Sequence, residues 1–227
     1  MILAIDTATP VCSVALEIQN RIFEKRSTGN GEHSEKLFLY IDELFKSHNI
    51  TISDLDAILI NEGPGSYTGL RIGAAAVKGL LFRHDVPLYS IGSLHSIAAG
   101  AVFSKSSVKS IHAVIDARRI HLYYQKFSVV DSLPVPSGKP EIKSLSEIEK
   151  MIKPGDAVAG TGIERLSLPD LSRIHVFYED VISAKNLLQV YSSNKSNKFF
   201  NKEDSVMFEP FYLTMNQVVN NTKNTPE

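Results

Sequence analysis

The side chains that follow the first apolar segment of the chain have the types that bind metal-associated phosphate. Asp6, Thr7 and Thr9 come directly after residues 2–5, a short apolar run that predicts a β-strand. At the end of such a strand a carboxylate can hold a Mg²⁺ ion, while hydroxyls and backbone N–H groups of the turn can meet phosphate oxygens. A turn that only ends the strand would use the same residues, so both interpretations stay open.

A second carboxylate follows an apolar run in the other half of the chain. Asp116 and Arg118 come after residues 111–115, which predict another buried strand. A guanidinium group pairs well with carboxylate or phosphate. The candidate nucleotide- or phosphate-binding residues are therefore Asp6, Thr7, Thr9, Asp116 and Arg118, with a solvated turn as the alternative for the last two.

A glycine-rich segment at residues 63–69 leads into a predicted helix at residues 67–82. Such a turn before a helix N-terminus can bind an anion, but no lysine stands where a Walker A loop requires it. Each helical glycine costs about 1 kcal/mol relative to alanine, so the glycines of this helix need a reason in packing. Gly69 and Gly73 share one helix face and would let another helix, or the chain's own sheet, approach closely.

A second predicted helix, at residues 32–48, has an apolar stripe wider than one sheet face needs. We predict that the two helices together form an interface with another protein. The predicted interface residues are His33, Leu37, Tyr40, Ile41, Leu44, Gly69, Ile72, Gly73 and Ala76. For His33 a capping or surface role remains the alternative to a functional one.

No catalytic residue and no metal ligand is predicted. The nucleophile motif GxSxG and the zinc motifs CxxC and HExxH are absent from the sequence. The single cysteine, Cys12, lies in an apolar segment and is interpreted as an unreactive core thiol.

The bulk composition restricts the partners and the compartment. The chain has 227 residues, one cysteine and a formal net charge of −1, with 43% hydrophobic residues. A protein that binds nucleic acid alone usually carries a basic excess, so strong unaided RNA binding is not expected. The first residues lack the basic region of a signal peptide, and no run of ~18 apolar residues predicts a membrane span. We expect a cytoplasmic protein.

The order of predicted elements repeats along the chain. Each half opens with a strand, an aspartate, a turn and a second strand, which favours two duplicated α/β lobes with a shortened second half. We predict a lobe at residues 1–103 and a smaller one at residues 104–227 that ends in a poorly ordered tail. Residues 130–140 are predicted as loop, and residues 193–202 as a mobile connection.

Four segments carry a resemblance to the TsaB (YeaZ) family. They are MILAIDTA at residues 1–8, EHSEKLFLYIDELF at 32–45, GPGSYTGLRIG at 63–73 and VIDARRIHLYY at 114–124. The order and spacing agree up to about residue 125, and a weaker similarity returns at EPFYL, residues 209–213. The glycine-rich segment is the specific part.

The resemblance implies the actin-like ATPase superfold of sugar kinases, Hsp70 and actin. It implies a non-catalytic subunit that pairs with TsaD and cooperates with TsaE in forming threonylcarbamoyladenosine beside the anticodon. No intrinsic cofactor is expected; ATP and Mg²⁺ would enter through the partners, and tRNA would be met only in the complex. TsaD-like proteins carry an HxxxH metal motif where this chain has Ser93 and Ile97, with His95 between them.

Two other functions remain as hypotheses. An ATP-binding small-molecule kinase or nucleotide hydrolase of the same superfold is suggested by Asp6, Thr7 and Thr9. A protease is less favoured, because no nucleophile and base can be paired from the sequence. A bare apolar helix face would also allow the isolated chain to form a homodimer.

Overall fold

The computed structural model describes residues 1–29, 31, 33–105, 107–117, 120–168, 171–193 and 198–214. In these residues the strands are Ile2–Asp6 (β1), Val11–Ile18 (β2), Arg21–Thr28 (β3), Ala57–Gly63 (β4), Leu88–Gly92 (β5), Ser110–Asp116 (β6), His121–Val130 (β7), Leu133–Pro136 (β8), Glu141–Ser144 (β9), Ala157–Gly160 (β10), His175–Phe177 (β11) and Asn201–Glu203 (β12). The α-helices are His33–His48 (α1), Tyr67–Leu80 (α2), Ser93–Ser104 (α3), Leu145–Met151 (α4) and Lys185–Ser193 (α5).

The first sheet has the strand order β12-β5-β4-β1-β2-β3. β1 pairs antiparallel with β2, and β2 with β3, as short connections favour. On its other side β1 pairs in parallel with β4, and β4 with β5, through crossovers that contain α1 and α2. An antiparallel meander therefore continues into a parallel half.

The second sheet repeats this plan with the order β11-β10-β6-β7-β8, and β9 also pairs with β7. β6 is antiparallel to β7 and parallel to β10, which is parallel to β11. The central strand thus has the same kind of neighbours as β1. The repeat confirms the predicted two-lobed architecture of the actin-like ATPase superfold, with shorter connections in the second lobe.

The alternation of side chains along β1 assigns the two faces of the first sheet. Leu3 and Ile5 pack in one apolar cluster with residues of α1 and α2. Ile2 and Ala4 point to the opposite face and pack with residues of α5. The helices α1 and α2 therefore cover one face, and α5 covers the other.

Helix α3 lies between the two sheets. Leu94 and Ile97 pack in one cluster with Ile111 of β6, and Ala99 packs in another with Leu59 of β4. A helix that is apolar on all sides is a buried helix, and α3 is buried from Ser93 through Val102. The second lobe thus sits on the side of the first sheet away from α1 and α2.

The predicted division of the chain needs a correction at its end. The boundary after residue 103 lies near the end of α3, but the chain later returns to the first sheet, where β12 pairs antiparallel with β5. Phe208 then lies in the cluster beneath α1 and α2. Strand β8 lies within the predicted loop, and β12 begins inside the predicted mobile connection and ends beyond it. The end of the predicted tail, residues 218–227, lies outside the described residues.

Polar side chains of β3 hold the second lobe against the first. Arg26 donates from Nε to the carbonyl of Ile182 at 2.8 Å and also to the carbonyl of Glu179. Glu24 accepts a hydrogen bond from the Ser183 hydroxyl at 2.5 Å. These bonds fix the segment that leads from the second sheet into α5.

No helix in the described part of the chain is both long and apolar enough to cross a bilayer.

We predict that Arg26→Ala lowers the free energy of unfolding by about 1–2 kcal/mol, because two carbonyls lose a charged donor. Urea denaturation followed by circular dichroism measures this. The matched control is Lys25→Ala on the same strand, which removes only an exposed ion pair with Glu43 and should cost under about 0.5 kcal/mol. Equal losses in the two variants would contradict the role given to Arg26.

Candidate functional site

The turn after β1 and the start of α2 are in direct contact. The Thr7 hydroxyl donates to the carbonyl of Gly69 at 2.8 Å. A Cβ atom on Gly69 would lie 2.0 Å from the Thr7 carbonyl oxygen, and one on Gly73 would lie 2.6 Å from Thr7 Oγ1. The glycines of α2 therefore allow the helix to lie on the chain's own β1 turn, which corrects the prediction that they serve a partner.

Asp6 is enclosed at the end of β1, with 1% of its surface exposed. Its Oδ1 accepts a hydrogen bond from the Ala8 N–H at 3.1 Å, and Oδ2 has no partner among the described residues. Burial raises the pKa of this carboxyl, against the opposing effects of the Asn61 side chain and the Ala8 N–H. The surroundings of Asp6 therefore disfavour the charged form of its carboxyl group.

Thr9 and His33 join this turn to α1. Thr9 Oγ1 accepts from the Val11 N–H at 3.2 Å, and His33 Nε2 lies 2.8 Å from the Thr9 carbonyl oxygen. Because a carbonyl can only accept, Nε2 carries the proton. His33, the first residue of α1, thus anchors the helix. The polar side chains of Asp6, Thr7 and Thr9 are buried in the chain's own contacts and present no open surface to a phosphate.

The second pair of candidate phosphate ligands belongs to the second lobe, and the structure describes one of the two. Asp116 ends β6, is exposed and forms an ion pair with Arg165. Its backbone N–H donates to Thr161 Oγ1 at 3.0 Å. Arg118 lies outside the described residues. Asp116 therefore occupies in the second lobe the place that Asp6 occupies in the first, but in a solvated setting.

The side chains at the start of α3 are unsuited to hold a metal. Ser93 and Ile97 are buried, and no described set of three His, Cys, Asp or Glu side chains is grouped as metal ligands. Burial lowers the pKa of His95 to about 4, and its ring packs on Phe127 and Phe199. His95 is thus a neutral ring in an apolar setting, and an alkyl side chain such as Ile97 cannot coordinate a metal.

Cys12 is likewise buried, as expected for a core thiol. Burial raises its pKa to about 11, so the thiol stays protonated at neutral pH. A protonated, buried thiol is a poor nucleophile.

Most of the predicted interface residues belong to the chain's own interior. The buried ones are His33, Leu37, Ile41, Leu44, Gly69, Gly73 and Ala76, while Tyr40 and Ile72 are half-buried. The apolar stripe of α1 packs on the first sheet, so the prediction named the inner side of the helices. A partner surface on these two helices must therefore be formed by other residues, on their outward side.

Those other residues are exposed and apolar. Phe38 and Leu39 of α1 are 50% and 51% exposed, Tyr67 of α2 is 55% exposed, and Phe82, just after α2, is 70% exposed. We call these four residues the outer face. The signal was present in the sequence, since residues 38 and 39 stand out of phase with the buried positions 37, 41 and 44.

The chain is similar to known proteins over most of its length. Residues 27–170, more than half of the chain, match the family model TsaD, tRNA N6-adenosine threonylcarbamoyltransferase. A protein of Buchnera aphidicola subsp. Schizaphis graminum named tRNA threonylcarbamoyladenosine biosynthesis protein TsaB is 30% identical over 151 residues, which are 66% of this chain and 70% of that protein.

The chain belongs to the TsaB (YeaZ) family. A Haemophilus influenzae protein with the same TsaB name is 33% identical over 125 residues, 55% of this chain, and the match spans about half, 52%, of that relative's length. The solved structure of YeaZ from Pseudomonas aeruginosa superposes with a TM-score of 0.78 at 25% identity, covering 93% of this chain and 99% of that chain.

Close packing explains the glycine-rich segment in this member of the family. The part of the sequence that carries the resemblance most specifically, residues 63–73, contains the glycines that lie against the β1 turn. In this chain the segment meets a packing requirement of the first lobe. It does not by itself mark a ligand site.

We predict that Gly69→Ala destabilises the protein by about 3 kcal/mol, because the new methyl group meets the Thr7 backbone carbonyl. Gly79→Ala in the same helix is the matched control. A Cβ at position 79 meets nothing within 4 Å, so this variant should gain up to about 1 kcal/mol. Thermal and urea unfolding measure both; a neutral Gly69→Ala would refute the close contact.

We predict that Asp6→Asn stabilises the protein by about 1 kcal/mol at pH 8. Because the folded pKa of Asp6 lies above its ordinary value, its favourable contribution is present at low pH and is lost as pH rises through the folded pKa. The gain should therefore shrink between pH 8 and pH 4. Urea denaturation across this range tests it.

The control is Asp42→Asn, an exposed carboxylate paired with Lys46. Its effect should be small at every pH, since exposed pairs contribute little. A stability difference between Asp6→Asn and the natural chain that does not change with pH would contradict the interpretation of Asp6.

Proposed function

We propose that this chain is a non-catalytic partner subunit that binds and supports TsaD, together with TsaE, in threonylcarbamoyl transfer to the adenosine beside the anticodon of tRNAs reading codons that begin with A. The observation that carries the proposal is the outer face, Phe38, Leu39, Tyr67 and Phe82. Large apolar side chains that are exposed on two neighbouring helices are typical of interaction sites.

The position of the outer face supports a second protein as its occupant. Helices α1 and α2 cover one face of the first sheet, and α3 with the second lobe lies on the opposite face. The second lobe of this chain therefore cannot reach the outer face without unfolding. Two neighbouring helices that present exposed aromatic and aliphatic side chains fit a helical surface on the partner.

The non-catalytic role is supported by the side chains at the start of α3. The two places of the HxxxH motif hold Ser93 and Ile97, and Cys12 is a protonated core thiol. TsaD would hold the metal and the threonylcarbamoyl donor, and ATP with Mg²⁺ would enter through the partner subunits. This chain would brace the partner's lobe, and tRNA would be met in the complex, in the cytoplasm.

The alternative, an ATP-binding kinase or nucleotide hydrolase, needs Asp6, Thr7 and Thr9 to reach phosphate. Each is at most 2% exposed, and the two hydroxyls bond to the chain's own backbone. Their burial favours the partner-subunit role over this alternative.

Reconstitution tests the proposed role. Threonylcarbamoyladenosine formation on tRNA would be measured with TsaD, TsaE and the adenylate synthase, with and without this chain. Modification should require the chain, whereas the chain alone should show no transfer. Full modification in its absence would refute the proposal.

We predict that Phe38→Asp weakens binding to TsaD at least tenfold, because a charge would replace apolar contact area within the proposed interface. Isothermal titration calorimetry measures the affinity. The matched control is Val130→Asp on the second lobe. Val130 is 51% exposed, compared with 50% for Phe38, and binding should be unchanged. If the isolated chain forms a homodimer through the same face, Phe38→Asp should dissociate it in sedimentation experiments.

A further inference from the structure

At the edge of the first sheet one serine hydroxyl lies between two carboxyl groups. Ser90 Oγ on β5 is 2.9 Å from Glu62 Oε2 on β4 and 2.5 Å from Glu203 Oε1 on β12. Asn201 of β12 donates from Nδ2 to the same Glu62 oxygen at 3.4 Å. Three strands are therefore joined through one buried hydroxyl group.

Two ionised carboxylates and one hydroxyl group do not supply enough protons for both contacts of Ser90. A hydroxyl group has one proton to donate and can accept from another donor. If Ser90 donates to Glu62, the short contact with Glu203 requires a proton on Glu203, which then donates to the serine oxygen. If Ser90 donates to Glu203, Glu62 carries the proton. Either way both contacts need one carboxyl proton in addition to the proton of the hydroxyl.

The surroundings favour keeping that proton. Burial raises the pKa of Glu62, and the charge of Glu203 raises it further, against the hydrogen bonds from Ser90 and Asn201. Lys202 pairs with Tyr89, one register step from Ser90, so its side chain points to the other face of the sheet. The charged side chain of β12 that faces Glu62 is thus the carboxyl group of Glu203.

The strand that contains Glu203 begins the last described segment of the chain, which packs against the first sheet and α2. We call residues 201–214 the C-terminal strap. Phe211 of the strap donates its N–H to the Glu62 carbonyl at 2.7 Å, and Phe208 is buried under α2. Tyr212 stacks on Tyr67, with ring centroids 5.1 Å apart. Glu62 therefore holds the strap with both its side chain and its backbone.

We propose that a single carboxyl proton shared by Glu62, Ser90 and Glu203 fastens the C-terminal strap to the first sheet, and that loss of this proton releases it. With the proton bound, the three groups form two hydrogen bonds. Without it, two carboxylates face one donor across a few ångströms, and like charges at that separation repel.

The sign of the effect follows from the same pair. A carboxyl group whose folded pKa is raised stabilises the attached state at low pH, and this contribution is lost as pH rises through the folded pKa. The strap should therefore be tight in acid and loosen toward alkaline pH. Since β12 has only three residues, few ladder hydrogen bonds oppose its release, whereas burial of Phe208 opposes release of the rest of the strap.

Release would change the surface beside α2. The strap and α2 border an open groove of about 290 Å³, lined by Arg71, Ala74 and Lys78 of the helix and by Phe208, Pro210 and Tyr212 of the strap. Detachment removes one wall of this groove and frees the Arg71 side chain, which donates to the Tyr212 hydroxyl at 3.3 Å. The proton would thus regulate the shape of the first lobe next to its exposed helices.

Hydrogen–deuterium exchange of the full chain, between pH 5 and pH 9 and corrected for intrinsic rates, tests the proposal. Protection of residues 201–213 should fall at least tenfold across this range in the natural chain, while protection of β1 and β4 stays constant. Glu203→Gln replaces the second carboxyl by an amide that can donate to Ser90, so protection at pH 9 should stay near its pH 5 value.

Glu209→Gln is the matched control, since it removes an exposed carboxylate from the same strap and should keep the pH dependence of the natural chain. Glu62→Gln is a second variant that should remove the pH dependence, and circular dichroism confirms folding of each. The proposal is overturned if the natural chain shows no pH-dependent loss of protection in the strap, or if Glu203→Gln and Glu62→Gln retain that loss.

Discussion

The contact between the β1 turn and helix α2 determines how the first lobe is built. Gly69 and Gly73 let the helix lie so close that a methyl group at either position would overlap an atom of Thr7. This approach encloses Asp6 and uses the Thr7 hydroxyl, so the segment that in sequence suggests phosphate binding becomes part of the core. It also fixes the rotation of α2 about its axis, and with it the residues that α2 turns outward.

The repeated strand order explains why α1 and α2 have exposed outer sides. In each lobe a meander continues into parallel strands, and the helices of the crossovers must cover the sheet faces. Helix α3 is apolar on all sides because both sheets use it. One face of the first sheet is therefore on the side of α3 and the second lobe. Helices α1 and α2 cover the other face, and their outward sides carry exposed residues.

The sequence allowed prediction of the long periodic elements and of the duplication. The helix expected at residues 32–48 is observed at His33–His48, and the strands around Asp6 and Asp116 are where the apolar runs indicate. Periodicity separates Phe38 and Leu39 from Leu37, but it could not tell which side of α1 faces the sheet, because both sides carry apolar residues. Strands such as β11 and β12, with three residues each, are too short for an alternation signal, and β12 is defined by its pairing with β5.

The strap and the outer face meet on the same helix, and this links the two inferences by thermodynamics. Tyr67 belongs to the outer face and stacks on Tyr212 of the strap, while Arg71, one turn further, lies over the Tyr67 ring at 4.0 Å and bonds to Tyr212. A protein that binds this side of α2 more tightly when the strap is attached must also favour the proton-bound state of Glu62 and Glu203, because linkage is reciprocal. A protein that needs the strap removed must favour the opposite state. Partner affinity at this helix should therefore depend on pH whenever the partner binds the attached and the released strap with different affinity.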